Sequence, residues 1–300
     1  MLLEEAEGEC LIVPEPRASK PKPFEVIVTD VIQETPDSVT LVFEPDQPVD
    51  YRAGQFLTID PHQFKVLASH TAYLENLKGK KELVRAYSVC SSPGEPLAIT
   101  IKEEPYTKGC LHAPLLSPHL TYGIHKGLKM KVVGLTGAYT LAPDIEQRAK
   151  HVLHVVAGSG VVPNFSILKD SLKRHPTLRH TLVDSNKTWE DVIFRDLLIQ
   201  LEAQYPERFK VVHFLTRQAD VSGLPGDVRK GRITQEALAA LVPNIEETIA
   251  YVCGPAITAH ERRAAVEKGV SPEPRFLETT IGNLQNVGLP NERIKRESFG

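Results

Sequence analysis

The run from Val152 to Ala157 is apolar and β-branched, stops at Gly158-Ser159-Gly160, and leads at once into a helical pattern over Asn164–Arg174. A strand that turns on glycines into a helix opens a parallel βαβ unit. The rhythm then repeats. A strand at Arg179–Asp184 precedes a helix from Trp189 to Gln204, and a strand at Lys210–Thr216 precedes a helix around Thr234–Leu241 and a strand at Thr248–Cys253. Alternation of this kind predicts a parallel sheet with helices on both faces.

The first half of the chain has a different rhythm. A strand from Phe24 to Ile32, a Thr35-Pro36-Asp37-Ser38 turn and a strand from Val39 to Phe43 predict a hairpin. Further short strands are expected at Gln55–Ile59, Arg85–Cys90, Leu97–Lys102 and Met130–Val133. Short strands between Gly and Pro clusters predict a small antiparallel barrel. The segment His62–Glu82 interrupts this pattern, and its Lys78-Gly79-Lys80-Lys81 end reads as an exposed loop. The expected organisation is a leader over 1–22, a β-barrel domain over 23–145 and an α/β parallel-sheet domain over 146–300.

Composition excludes several classes. A chain of 300 residues with a net charge of −3 and no long basic block does not suit nucleic acid, whose phosphates need a cationic face. The start Met1-Leu2-Leu3-Glu4-Glu5 lacks a basic, apolar signal pattern, and no apolar run reaches the roughly 18 residues of a membrane span. Cys10, Cys90, Cys110 and Cys253 are scattered, with no paired spacing for zinc or an iron–sulfur cluster. A reduced, cytoplasmic chain with no metal site is the expectation.

Five motifs carry chemistry. In Arg85-Ala86-Tyr87-Ser88, on a barrel strand, the arginine can fork onto a diphosphate, the tyrosine can stack on a flat ring, and the serine can hydrogen-bond a ring nitrogen. An ordinary strand with an edge tyrosine accounts for the same residues. Lys108-Gly109-Cys110-Leu111-His112 offers a glycine where backbone N–H groups approach a phosphate, or simply a loop. Gly134-Leu135-Thr136-Gly137-Ala138-Tyr139 closes a barrel strand and is a candidate wall of a cleft between the domains. Ala157-Gly158-Ser159-Gly160-Val161-Val162-Pro163 permits close backbone approach to a diphosphate, with Pro163 where the usual fingerprint has its last glycine. Cys253-Gly254-Pro255 ends a parallel strand, where ligands bind, although a buried structural cysteine is common.

Taken together and in this order, the motifs resemble the ferredoxin–NADP reductase family over about residues 23 to 300. Arg85-Ala86-Tyr87-Ser88 is similar to the family's flavin motif, and Gly54-Gln55-Phe56 to the Gly-Gln-aromatic step before it. Gly158-Ser159-Gly160-Val161-Val162-Pro163 resembles the nicotinamide dinucleotide loop, and Cys253-Gly254-Pro255 the Cys-Gly-Pro motif. The nearest likeness is to bacterial reductases that feed oxygenases or small ferredoxins. The resemblance implies hydride transfer from NAD(P)H to FAD, FMN being the lesser alternative, and single electrons passed to a ferredoxin or another iron–sulfur or oxygenase protein. It implies Ser88 and Cys253 as catalytic residues. It places Arg85, Tyr87, Ser88, Lys102, Gly109, Cys110, Leu111, His112 and Thr136 around the flavin. Gly158, Ser159, Gly160, Val161, Pro163, Asp184, Asn186, Thr216, Arg217, Cys253, Gly254 and Pro255 would hold the dinucleotide.

Two departures bear on this. His112 stands where the family has Ser or Thr, and His62–Glu82 is longer than the usual connection. Thr216-Arg217, with Lys187 and Arg229, favours NADPH, whereas Asp184 holding a free ribose hydroxyl favours NADH. His151 and His154, three apart on a strand, face opposite ways and form no metal pair. His112, His119 and His125 read as solvated rather than as a metal site, Trp189 as a packing residue or else the border of an adenosine site, and Phe299 as a terminal aromatic that could reach the flavin. Two rival readings stay open. A direct reductase of a ferric chelate or free flavin would turn flavin over rapidly. A non-catalytic electron-transfer protein within a larger complex would keep the flavin without being bleached by nucleotide.

Overall fold

The computed structural model describes residues 22–106 and 112–299. Six strands form the first sheet: β1 (Phe24–Thr35), β2 (Ser38–Pro45), β3 (Phe56–Ile59), β4 (Arg85–Ser88), β5 (Leu97–Lys102) and β6 (Lys129–Thr136). Their order is β4-β3-β6-β1-β2-β5 and every pairing is antiparallel. The two edges meet through a Val89–Ile99 bridge and a bond from the Cys90 N–H to the Ala98 carbonyl at 2.9 Å, which turns the sheet into a barrel. Alternation sets its inside: Val26, Val28, Leu41, Phe43, Leu57, Ile59, Ile99 and Val132 fill one core. The predicted β1–β2 turn is tied by the Thr35 and Ser38 hydroxyls donating to Asp37.

In the segment His62–Glu82 the expected exposed loop is confined to residues 79–81. The segment holds helix α1 (Ala68–Lys78), which ends on a left-handed Gly79. Only Thr71 and Leu74 of α1 are buried, so the apolar period that betrays a helix in sequence is missing. A short α2 (Ser117–Tyr122) and α3 (Ile145–Arg148) lie before the second sheet.

The second sheet contains β7 (His151–Ala157), β8 (Arg179–Asn186), β9 (Phe209–Leu215), β10 (Asp227–Lys230), β11 (Thr248–Pro255) and β12 (Ile294–Phe299). All are parallel, in the order β10-β9-β8-β7-β11-β12. The crossover helices are α4 (Val161–Arg174), α5 (Arg195–Gln204), α6 (Gln235–Leu241), α7 (Ala259–Glu267) and α8 (Phe276–Asn286). The helix expected from Trp189 to Gln204 is split. Trp189–Asp191 is a 3-10 turn, and Phe194, with φ 60°, breaks the path before α5. The chain steps outward from β7 to β10 on one side and then jumps to β11 on the other. The strand order therefore reverses between β7 and β11, the switch point where open α/β sheets bind ligands.

The seam between the sheets is well packed. Ala53, Cys90, Ala98 and Tyr139 of the first half share one core cluster with α4 and β11. The Ser166 hydroxyl donates to the Ser91 carbonyl at 2.6 Å, and Glu95 receives Lys169 and Lys173 at 2.6 and 2.8 Å. Tyr139 meets Tyr251 edge-on with centroids 5.3 Å apart, and the Tyr251 hydroxyl donates to the Thr140 carbonyl. No described helix is long and apolar enough to cross a membrane.

Candidate active site

β7 delivers Ala157 to the switch point, where Gly158–Gly160 make one 3-10 turn and α4 begins at Val161. Gly160 lies on the end of β11. A Cβ there would sit 2.1 Å from the Cys253 carbonyl oxygen and 2.6 Å from its carbon, so only glycine fits. Gly158 is left-handed, at φ +54°, and a Cβ on it would meet nothing within 4 Å. The turn therefore backs onto protein on one side and opens on the other. Val161 and Pro163 are buried in the first turn of α4, and Ser159 is the half-buried polar side chain beside them. Pro163 is tolerated because a first-turn N–H has no intrahelical partner. The remaining first-turn N–H groups and the positive end of the helix suit a diphosphate. The loop fits a dinucleotide.

Cys253 is fully buried, and burial pushes its thiol well above the usual range. Glu297 lies opposite it in the β11–β12 register. Its Oε2 is buried with no partner among the described residues, and burial pushes the carboxyl up to about 7. Gly254 lies against the Phe276 ring, and Pro255 is exposed opposite Phe299, which packs partly buried on the seam cluster. Sequence reasoning missed Glu297. A lone carboxylate near the end of the chain has no local signature, and only strand register brings it to Cys253.

On the barrel side, Phe56 of β3 faces Ser88 of β4 and Thr136 of β6 in the same register. Ser88 is buried, and Tyr87 is half-buried with its hydroxyl pushed up by burial. The Arg85 guanidinium, 38% exposed, donates to Glu82 Oε2 and to the Leu83 carbonyl, both at 2.6 Å. Lys78 holds the other Glu82 oxygen at 2.5 Å, so the insertion carries a buried carboxylate onto the flavin-motif arginine. Burial alone would raise the Glu82 carboxyl, but Lys78 and Arg85 outweigh it and hold it low. Gly109, Cys110 and Leu111 lie outside the described residues. His112 Nδ1 is buried with no partner among the described residues. A partly exposed guanidinium suits the pyrophosphate of a flavin dinucleotide. Lys102 is elsewhere, paired with Asp37 at 2.6 Å on the β1–β2 turn.

At the C-terminal ends of β8 and β9 the structure separates the sequence-predicted residues. Asp184 is fully buried; its Oδ2 accepts from Asn186 Nδ2 at 2.9 Å and lies 3.3 Å from His213 Nδ1. It does not face solvent. Arg229 is engaged by Asp227 through two bonds of 2.9 Å. Thr216 donates its hydroxyl to the Asn186 carbonyl, and the Arg217 N–H donates to the Lys187 carbonyl. The Lys187 and Arg217 side chains are both exposed at this edge. Trp189 packs edge-on against His213, with centroids 5.1 Å apart. His119 is not simply solvated: it meets Phe64 at 4.7 Å, and burial pulls its pKa down. His151 and His154 are both buried, each with its own hydrogen-bond partners.

Comparison with known proteins agrees with this geometry. Residues 155–261 match the oxidoreductase NAD-binding domain family. The chain is 27% identical over 279 residues to a component of the 1,2-phenylacetyl-CoA epoxidase of Escherichia coli K12, covering 90% of this chain and 69% of that protein. It is 30% identical over 279 residues to the ferredoxin reductase component of 3-ketosteroid-9-alpha-monooxygenase of Rhodococcus rhodochrous, covering 91% of this chain and 64% of that protein. The chain thus spans about two thirds of the length of these relatives. The ferredoxin reductase of carbazole 1,9a-dioxygenase superposes with a TM-score of 0.66 at 22% identity, over 94% of this chain and 71% of that one. The FAD/NAD-binding domain of nitric oxide dioxygenase from Vibrio cholerae superposes at 0.67 and 19% identity, over 94% of this chain and all of that one. An antiparallel barrel followed by a parallel sheet, an oxidoreductase NAD-binding domain over residues 155–261 and these superpositions together show a chain with the two-domain fold of the ferredoxin–NADP reductase type.

Proposed function

We propose that the chain is an NAD(P)H-dependent flavoprotein reductase that passes single electrons to a ferredoxin or another iron–sulfur or oxygenase protein. The barrel, residues 23–145, holds FAD, and residues 146–300 hold the nicotinamide dinucleotide. One observation carries the reading. The flavin-motif strand and the Cys-Gly-Pro strand run into the same packed seam, where Cys90, two residues past Ser88, shares a cluster with Cys253.

FAD, when bound, accepts a hydride and releases its electrons one at a time. The chain's own residues bind, orient and exclude water. Arg85 and His112 would hold the flavin pyrophosphate, Tyr87 would flank the ring, and the Ser88 hydroxyl would donate to or accept from it. The first turn of α4 and Ser159 hold the dinucleotide phosphates. Cys253 packs dry behind the nicotinamide. The Glu297 carboxyl, raised by burial to about 7, gains and loses its proton near neutral pH. Exposed Lys187 and Arg217, with Asp184 turned inward, favour a 2′-phosphate and so NADPH over NADH. A cytoplasmic location belongs to this reading. The partner class is supported by the names of the two relatives above, an epoxidase component and a ferredoxin reductase component.

The test is the cofactor itself. The purified chain, incubated with FAD and FMN and washed, is heat-denatured and its supernatant chromatographed. Stoichiometric FAD is the expected result. Retention of neither flavin contradicts the proposal.

A further inference from the structure

A run of buried polar side chains lies directly beneath the dinucleotide turn. Asn164, on the inner face of α4, is fully buried. Its Nδ2 donates to the Gly160 carbonyl at 3.1 Å and to the Tyr139 hydroxyl at 3.2 Å. Its Oδ1 lies 2.8 Å from His154 Nδ1. His154 Nε2 lies 3.2 Å from His180 Nδ1, and His180 Nε2 lies 3.0 Å from the Ser171 hydroxyl. His154, His180 and Ser171 are each at most 2% exposed.

Only one set of proton positions satisfies every member. If Asn164 donates to Gly160, its oxygen must accept, so His154 Nδ1 carries hydrogen. A neutral imidazole then has a bare Nε2, which must accept from His180 Nδ1–H. His180 Nε2 in turn accepts from Ser171. Flipping the Asn164 amide would set its oxygen against the Gly160 carbonyl, acceptor against acceptor. Burial favours the neutral histidines this requires, pulling His154 down to about 4 and His180 well below its ordinary value.

Gly160 is the residue pressed onto the Cys253 carbonyl, and Tyr139 belongs to the barrel side of the seam. One amide thus joins the dinucleotide turn, the barrel and the centre of the sheet. We propose that Asn164, oriented by the Ser171–His180–His154 relay, is a positioning residue that holds the Gly158–Gly160 turn in its dinucleotide-binding shape against the barrel. The inference rests on the reductase reading above.

The test compares the flavin-loaded wild type with three variants. Asn164→Asp keeps the shape but places an oxygen against the Gly160 carbonyl. His154→Phe keeps a ring but leaves the amide free to flip. Leu172→Ala, a core truncation on the same helix, reports plain destabilisation. Titration calorimetry with NADP+ and with NAD+ gives affinities, and turnover with NAD(P)H and ferricyanide separates KM from kcat. For Asn164→Asp and His154→Phe, Kd and KM should rise at least tenfold, with kcat changed less than threefold. Leu172→Ala should melt lower with KM unchanged. If Asn164→Asp does not fold, His154→Phe decides. Unchanged KM in the folded variants, or an equal rise in Leu172→Ala, overturns the proposal. A wild type that binds neither nucleotide instead sinks the reductase reading on which it stands.

Discussion

Gly160 lies so close to Cys253 that a single added methyl group would fall 2.1 Å from that residue's carbonyl oxygen. This contact seats the dinucleotide turn on the end of β11. Gly160→Ala must therefore displace the turn or the strand end, an overpacking cost of about 1–3 kcal/mol. Affinity for NADP+ should fall at least tenfold while flavin content stays at wild-type level. Equilibrium titration of the flavin-loaded variant checks both.

Glu297 gives a pH signature of the opposite sign to most carboxylates. Burial raises its folded-state pKa from the ordinary 4.5 to about 7. Its contribution to stability is therefore fully present below pH 4.5 and is lost as pH rises through 7. Glu297→Gln removes that loss. Relative to wild type, the variant should melt higher at pH 8 than at pH 5. In turnover, an ionisation near pH 7 should disappear from its pH profile.

The buried histidines act in the other direction. Burial holds His151 and His154 at about 4 and pulls His180 well below its ordinary value. The unfolded chain binds protons here more readily, so stability falls as pH drops below 6.5 and continues to fall towards 4. At roughly 1.4 kcal/mol per pKa unit, each of His151 and His154 withdraws about 2 kcal/mol by pH 5. In the Glu297→Gln background, which removes the opposing carboxyl, urea midpoints should be flat from pH 8 to 6.5 and then decline at constant m-value.

The Glu95 pair with Lys169 and Lys173 clamps the seam from outside. Burial alone would raise the Glu95 carboxyl, but bonds from Lys169, Lys173 and the Ser92 N–H pull it down to about 2. Its stabilisation is present above the ordinary carboxylate pKa and lost as pH falls towards 2. Glu95→Gln should cost about 1 kcal/mol at pH 7, since Glu95 and Lys173 remain partly exposed. Denaturant melts in low and high salt check it, and the deficit should shrink in high salt.

Much of the fold could be read from sequence because its signals are local. β5 matches its sequence reading end for end, and β7 and β11 end on the glycine motifs that mark them. Helix α1 was hidden because it covers the barrel with only two buried side chains. The break at Phe194 was hidden because its left-handed backbone is stabilised by tertiary stacking, its ring 4.2 Å from that of Phe165. The site divides in the same way. Arg85, Ser88 and the Gly158 turn announce themselves through motifs. Glu297, Asn164 and Glu82 acquire meaning only through strand register and packing, and the same packing buries Asp184.

The most direct test of the reductase account is an anaerobic titration of the FAD-loaded chain with NADPH and, separately, with NADH, followed in the visible. The account predicts that the oxidised-flavin band bleaches stoichiometrically, with NADPH the more effective nucleotide. A bound flavin that neither nucleotide bleaches would contradict it.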